Sequence, residues 1–194
     1  MIGSHNSFTY LTPTKWWGKM LAPWAKCQSL NIKEQYKSGV RYFDARVAFD
    51  KSYNLRLVHN YVDFPLTGLY EGLEELNKHE DVWLRIILDM RKKPKDEAKE
   101  TRLQCAFTDF ITGIRKQYPN IKICEIIIGW DWRSLFAANI AVAEWHASVC
   151  AEWYEYILGT EYWAETHNHT MIRGYKDIMA DDKKVLLIDY VQYG

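Results

Sequence analysis

Gly39-Val40-Arg41-Tyr42-Phe43-Asp44-Ala45-Arg46-Val47-Ala48-Phe49 is the stretch on which the fold turns. From Val40 it is short, rich in β-branched and aromatic residues and punctuated at its start by glycine, which marks a strand rather than a helix. Apolar residues occupy adjacent positions, the habit of strands covered on both faces in a parallel sheet. Asp44 and Arg46, two residues apart, then face the same side. Similar runs recur at Leu55 to Tyr61, Trp83 to Met90, Ile121 to Ile128 and Val185 to Val191.

Helical patterns fill the intervals. Asn31 followed by Glu34 forms a capping box, and Gly39 stands where that helix should stop. Leu66, Leu69, Tyr70, Leu73 and Leu76 mark one helical face, as do Leu103, Phe107, Phe110, Ile111 and Ile114 before Pro119. Strands alternating with helices predict an α/β protein with a TIM-type (β/α) barrel. The chain has 194 residues, short against the roughly 250 of a typical barrel. The expectation is therefore a compact, irregular barrel with a missing or frayed strand between Trp132 and Tyr175.

Composition narrows the function classes. Hydrophobic residues make up 48% of the chain, enough for one domain spanning residues 1–194 with a real core. Lys plus Arg and Asp plus Glu both total 25, so no net field recruits nucleic acid, and an anionic substrate must be held by local cations. The first histidine motif begins at Gly3, which leaves no room for a secretory leader, and no stretch approaches about 18 continuous apolar residues. The expected setting is the cytoplasm or a membrane surface. Cys27, Cys105, Cys124 and Cys150 show no CxxC pair and read as reduced, buried thiols.

Catalytic side chains of parallel barrels gather at the C-terminal ends of strands. Here Ile2-Gly3-Ser4-His5-Asn6-Ser7 ends the first strand in a histidine, and Asp44 and Arg46 lie toward the end of the second. Leu57-Val58-His59 closes the third, Leu88-Asp89-Met90-Arg91 closes the fourth, and Leu187-Ile188-Asp189-Tyr190 places an aspartate in the last. One site can receive all of them.

Gly-Ser-His-Asn-Ser, then Gly39 to Arg46, then Val58-His59, resemble in order and approximate spacing the X-type catalytic domain of phosphatidylinositol-specific phospholipase C. Ile86 to Lys92 and Val185 to Val191 resemble later strands of its bacterial, metal-independent members; the resemblance is weak between Trp130 and Met179. It implies His5 as general base toward the inositol 2-hydroxyl, with Asp189 orienting it and His59 as general acid toward the lipid alkoxide. Arg46 would bind a non-bridging phosphoryl oxygen with Asp44 fixing its guanidinium, and Arg91 would add a second cation. Arg46 and Arg91 stand where Ca²⁺-dependent relatives carry ligands, which implies chemistry without a metal or other cofactor. Bacterial members usually carry aspartate after the first histidine and glycine after the second. This chain has Asn6 and Asn60 instead, and without the carboxylate's charge at position 6 His59 loses part of what keeps it protonated.

Other residues carry weaker signals. Asn6 is a candidate substrate contact, and Tyr162 and Trp163 are candidates for stacking on a sugar face. Lys15-Trp16-Trp17-Gly18-Lys19 pairs tryptophans with lysines, a composition suited to a membrane interface, so Trp16 and Trp17 are read as transient membrane contacts. His146, His167 and His169 invite a zinc reading, but three ligands from rigid elements are missing and no metal is assigned. Three functions compete: a lyase acting on an inositol phospholipid or related phosphodiester, a hydrolase of a soluble or glycerol-linked phosphodiester, and a catalytically impaired phosphate- or headgroup-binding module.

Overall fold

The structure, a computed structural model, describes residues 1–90, 96–128 and 185–193 together with positions 145, 146, 161, 164, 168, 172 and 173; the side chains of 125–128 and 145–146 lie outside the description. The elements run β1 (Ile2–Ser4), α1 (Trp16–Ala25), α2 (Ile32–Lys37), β2 (Tyr42–Phe49), β3 (Leu55–His59), β4 (Val62–Phe64), α3 (Leu66–Leu76), β5 (Trp83–Asp89), α4 (Glu97–Gln117), β6 (Lys122–Ile128), β7 (Trp145–His146) and β8 (Leu186–Ile188).

Six strands pair in parallel in the spatial order β7-β8-β1-β2-β5-β6. This is the curled wall of an α/β barrel of the TIM type. The stretch in which a frayed strand was expected falls, apart from β7 and a few positions, outside the described residues.

Residues on both faces of β2 are buried, and on one face Phe43, Ala45 and Val47 join Leu84, Ile86 and Leu88 in one core with Leu69, Leu73 and Leu76 of α3. Each fully buried leucine of that helix contributes about 1.5–3 kcal/mol. The expected capping box of α2 is present: Asn31 Oδ1 accepts from the Glu34 amide at 3.0 Å, and Glu34 Oε2 accepts from the Asn31 amide at 2.9 Å. Gly39 stops the chain just beyond at φ 96°, a conformation that favours glycine. At Gly3 the reason for glycine is space, since a Cβ there would meet the Val185 and Leu187 side chains at 2.6 and 2.7 Å.

Two expectations change. β3 is not a barrel strand: it pairs antiparallel with the tail of β2, through Val47, Ala48 and Phe49, and with β4 on its other side. Residues 50–54 are too few for the crossover a parallel partner needs. They form instead a tight turn in which Asp50 Oδ1 accepts from the Ser52 and Asn54 amides at 2.8 and 3.0 Å. Among the cysteines, Cys27 is buried but Cys105 is exposed and Cys124 half-buried. Position 105 lies off the α4 stripe of Phe107, Ile111 and Ile114 that meets the core. Cys150 lies outside the described residues.

Candidate active site

Strand register builds the site. Ser4 of β1 is level with Ile188 of β8 and with Phe43 of β2, so the next residues lie in one row, His5 and Asp189 just past the ends of β1 and β8 and Asp44 inside β2 rather than toward its end. Asp44 is level with Arg85 of β5, which extends the row to a fourth strand. Side chains at one level of a parallel sheet point the same way, so residues separated by up to 184 positions meet without any loop having to fold over them.

His5 Nδ1 donates to Asp189 Oδ1 at 2.8 Å. On the opposite edge of the ring, Nε2 accepts from Asn6 Nδ2 at 2.7 Å and lies 3.3 Å from Arg46 Nη2. With a carboxylate beside Nδ1 and two donors beside Nε2, the proton belongs on Nδ1 and the lone pair on Nε2. This is the tautomer a base needs. The peptide bonds around it are anchored as well: Gln28 Nε2 donates to the carbonyls of His5 and Ile188 at 3.1 and 2.9 Å, and the Asn6 amide donates to Asp44 Oδ2 at 3.0 Å. Asn6 itself sits at φ 44°, a left-handed conformation asparagine tolerates.

His59 stands beside His5, their ring centroids 5.8 Å apart and their planes at 83°. The rings therefore meet edge to face, and a phosphoryl group held by both must sit across their shared rim or move them apart. His59 Nδ1 donates to the Ala25 carbonyl at 2.6 Å. Burial, with Arg46 and His5 adding to it, pushes its pKa from 6.5 down to about 3.

The contacts of Asp44 differ from the expected clamp on Arg46. Its Oδ1 accepts from Arg85 Nε at 2.9 Å, and both side chains are fully buried. Burial alone would raise the Asp44 pKa, but the Arg85 guanidinium more than offsets it and holds the carboxyl well below the usual carboxylate range. The cause is geometric: a level partner across a parallel ladder is nearer, at about 4.8 Å between strands, than the next residue on the same face of one's own strand, at about 6.6 Å. Arg46 still faces the pocket beside His5, within the electrostatic reach of Asp44. Asp189 lies one residue past β8 rather than inside a strand, and its carbonyl accepts from Asn168 Nδ2 at 2.7 Å.

His5, Asn6, Asp44, Arg46, His59 and Asp189 are thus brought together. Arg91, Tyr162, Trp163, His167 and His169 lie outside the described residues, as does the side chain of His146. Trp16 and Trp17 begin α1, which packs against β4 beside His59 through the close approach of Gly18 to Val62. Trp16 is 74% exposed, with Met20, Leu21 and Trp24 also exposed on that helix and Tyr61 on the neighbouring turn. Trp17 is half-buried, with the Lys15 ammonium 5.5 Å from its ring centroid.

Sequence reasoning missed Arg85 and Cys27. Arg85 had a signal: a lone cation inside Trp83-Leu84-Arg85-Ile86-Ile87-Leu88 needs a buried counter-charge by the same argument that singles out Asp189. Cys27 had none, because only the fold brings it under both histidines.

Ionisable residues of four neighbouring parallel strands thus share one level of a TIM-type barrel wall. The fold is, more narrowly, that of the bacterial phosphatidylinositol-specific phospholipases C. Over 70 aligned positions the chain is 40% identical to a PI-PLC X-box domain-containing protein of Dictyostelium discoideum, a match covering 30% of this chain and 9% of that protein. The chain therefore spans about a tenth of that relative's length. Among solved structures it resembles the phosphatidylinositol-specific phospholipase C of Listeria monocytogenes, at a TM-score of 0.60 and 12% identity over 100% of this chain and 89% of that one. It also resembles the Staphylococcus aureus phosphatidylinositol-specific phospholipase C solved in connection with modulation of its membrane binding, at a TM-score of 0.54 and 14% identity over 98% and 85%. No family model matches the chain.

Proposed function

We propose that this chain is a phosphodiesterase of the phosphatidylinositol-specific phospholipase C type that cleaves an inositol phospholipid or a related phosphodiester without a metal. The observation that carries the reading is His5, bonded through Nδ1 to Asp189 and presenting an Nε2 lone pair next to Arg46.

In this reading His5 Nε2 takes the proton from a substrate hydroxyl as its oxygen attacks the neighbouring phosphorus. Asp189 holds the ring and favours the imidazolium that forms. Arg46 meets the non-bridging oxygen on which charge grows, and Asn6 and Arg91 contribute to holding the substrate. The bond to the leaving oxygen breaks, a cyclic phosphodiester remains, and His59 supplies the proton. Tyr162 and Trp163 are assigned to stacking on the sugar, and Trp16 and Trp17 bring α1 to the lipid surface. No helix among the described residues is long and apolar enough to cross a membrane, and the contact proposed is peripheral.

Calcium does not fit this set. Hard cations want six to eight oxygens, whereas Asp44 is engaged by Arg85 and the mouth beside His5 is filled by the Arg46 guanidinium.

A second reading is favoured by one observation, the neutral environment of His59. A site that holds the anionic group but lacks a charged acid binds headgroups without turning them over. Assaying lipid and water-soluble inositol phosphodiesters, glycerol-linked phosphodiesters and vesicle binding, each with and without chelator, separates the readings. Cleavage of an inositol substrate in chelator supports the first. Binding without any product supports the second, and turnover only with added calcium defeats both the metal-free chemistry and the role given to Arg46.

A further inference from the structure

The chemistry above leaves one buried thiol unused. Cys27 Sγ lies 3.7 Å from His59 Nδ1 and 3.8 Å from Asn6 Nδ2, within hydrogen-bonding reach of the Asp189 carboxylate. One ligand atom each from His5, Cys27 and Asp189 fall within 4.8 Å of one another, and all three residues are buried. Cys27 is also held at both ends of its backbone. Its amide donates to Thr9 Oγ1 at 2.8 Å and its carbonyl accepts from the Tyr190 amide at 2.6 Å. The three donors thus converge from the ends of β1 and β8 and from a pinned segment after α1.

We propose that His5, Cys27 and Asp189 form a binding site for a thiophilic divalent cation of the zinc class, and that its occupation switches off the base. The second half rests on the function proposed above. Imidazole, thiolate and carboxylate are the donor types of three-ligand zinc sites, which keep a fourth position for water. With metal–ligand bonds of about 2.0–2.3 Å, tetrahedral donors stand roughly 3–4 Å apart, so the cluster needs only small side-chain shifts to close on an ion. A thiolate selects soft ions over calcium or magnesium.

The protons balance. The Cys27 thiol loses its proton to solvent as the sulfur–metal bond forms. His5 gives its Nδ1 lone pair to the ion and keeps one proton, now on Nε2, so the lone pair that served as base is gone. The new Nε2–H needs an acceptor, and Asn6 has one: its Oδ1 is buried without a hydrogen-bond partner among the described residues and reaches the ring when the amide turns over. Arg46 stays on the Nε2 side, with the imidazole ring between it and the cation.

The test uses the full chain, reduced and freed of metal. Titration with Co²⁺ is expected to give a sulfur-to-cobalt charge-transfer band that saturates at one ion per chain and is bleached by Zn²⁺. Cys27→Ser removes the band and Cys105→Ser keeps it. A wild-type chain without the band, or a band that survives in Cys27→Ser, overturns the site. Should Cys27→Ser fail to fold, cadmium NMR on the wild-type chain decides instead, since coupling between the cadmium nucleus and the Cys27 β-protons is required and its absence refutes the site. On whichever phosphodiester the chain cleaves, saturating Zn²⁺ is expected to lower turnover on the order of 10²-fold or more, the usual contribution of a general base. Unchanged turnover with the ion bound refutes the switch. A chain that cleaves no phosphodiester sinks the function proposed above, and the spectroscopy still decides the metal site.

Discussion

Replacing Arg85 by methionine leaves the Asp44 carboxylate buried without its ion-pair partner. Both side chains are fully buried and meet at 2.9 Å. At an effective dielectric of about 20, unit charges about 4 Å apart interact by about 4 kcal/mol. Removing one member of a buried pair costs about 3–5 kcal/mol, because the survivor keeps its desolvation penalty. With a urea slope of about 2 kcal/mol/M, the unfolding midpoint of Arg85→Met should fall by about 2 M. The double variant Arg85→Met/Asp44→Asn should recover most of that loss, since the amide oxygen still accepts from the Asn6 amide and no charge stays buried. Equilibrium urea unfolding of the three proteins, followed by tryptophan fluorescence, measures both quantities. A single variant within about 1 kcal/mol of wild type, or a double variant less stable than the single, would refute the account of Asp44. The same variant has a functional side. An Asp44 carboxylate released by Arg85 attracts Arg46 away from the rim of His5.

Arg46→Lys should lower kcat on the order of 10²-fold with a much smaller change in KM, because a point-charge ammonium cannot reproduce the planar donor set as phosphoryl charge grows; intact kcat in a folded variant would make Arg46 structural. EDTA should leave turnover unchanged, and a rate lost to chelator and restored by calcium would contradict the metal-free reading. His59 takes up a proton below pH 6.5 when unfolded but only near pH 3 when folded, so the unfolded state binds more protons in that window and stability falls as pH drops through it. From pH 6.5 to 5 the loss is about 2 kcal/mol, and His59→Gln should flatten it; an unaltered pH dependence of the urea midpoint would show that His59 is solvated. Trp16→Ser/Trp24→Ser should weaken binding to phosphatidylinositol-containing vesicles about tenfold or more, since two indoles then no longer enter the interface, and unchanged cosedimentation would assign this face of α1 another role.

The strands and helices were legible wherever apolar residues set a period. The α2 capping box, the α3 face and the strand at Trp83 appear as the pattern demands, because the burial that stabilises them is the burial that writes the pattern. His5, Arg46, His59 and Asp189 were legible because polar groups at the ends of apolar runs are costly without a purpose. Partner choice was harder to read. Asp44 was matched with Arg46, its neighbour in the sequence, whereas its partner is Arg85, fixed by ladder register, and register is not written in either strand alone. The direction of β3 was recoverable from the length of the 50–54 turn. The cluster of His5, Cys27 and Asp189 was not, since its members lie 22 and 162 residues apart and no spacing motif covers such distances.

The mounting of His59 has a consequence for motion. His5 ends a strand clasped on both sides, by β2 and β8, whereas His59 ends a hairpin joined to the barrel wall by three residue pairs at the tail of β2, with β4 as its outer strand. Local opening follows the number of contacts that must be given up. The two halves of the proposed acid/base pair therefore belong to units of unequal protection: amides of β3 and β4 exchange with solvent through small excursions of the hairpin, and those of β1 exchange only when the wall itself comes apart. Each such excursion separates the two imidazoles and opens the gap that their edge-to-face contact closes.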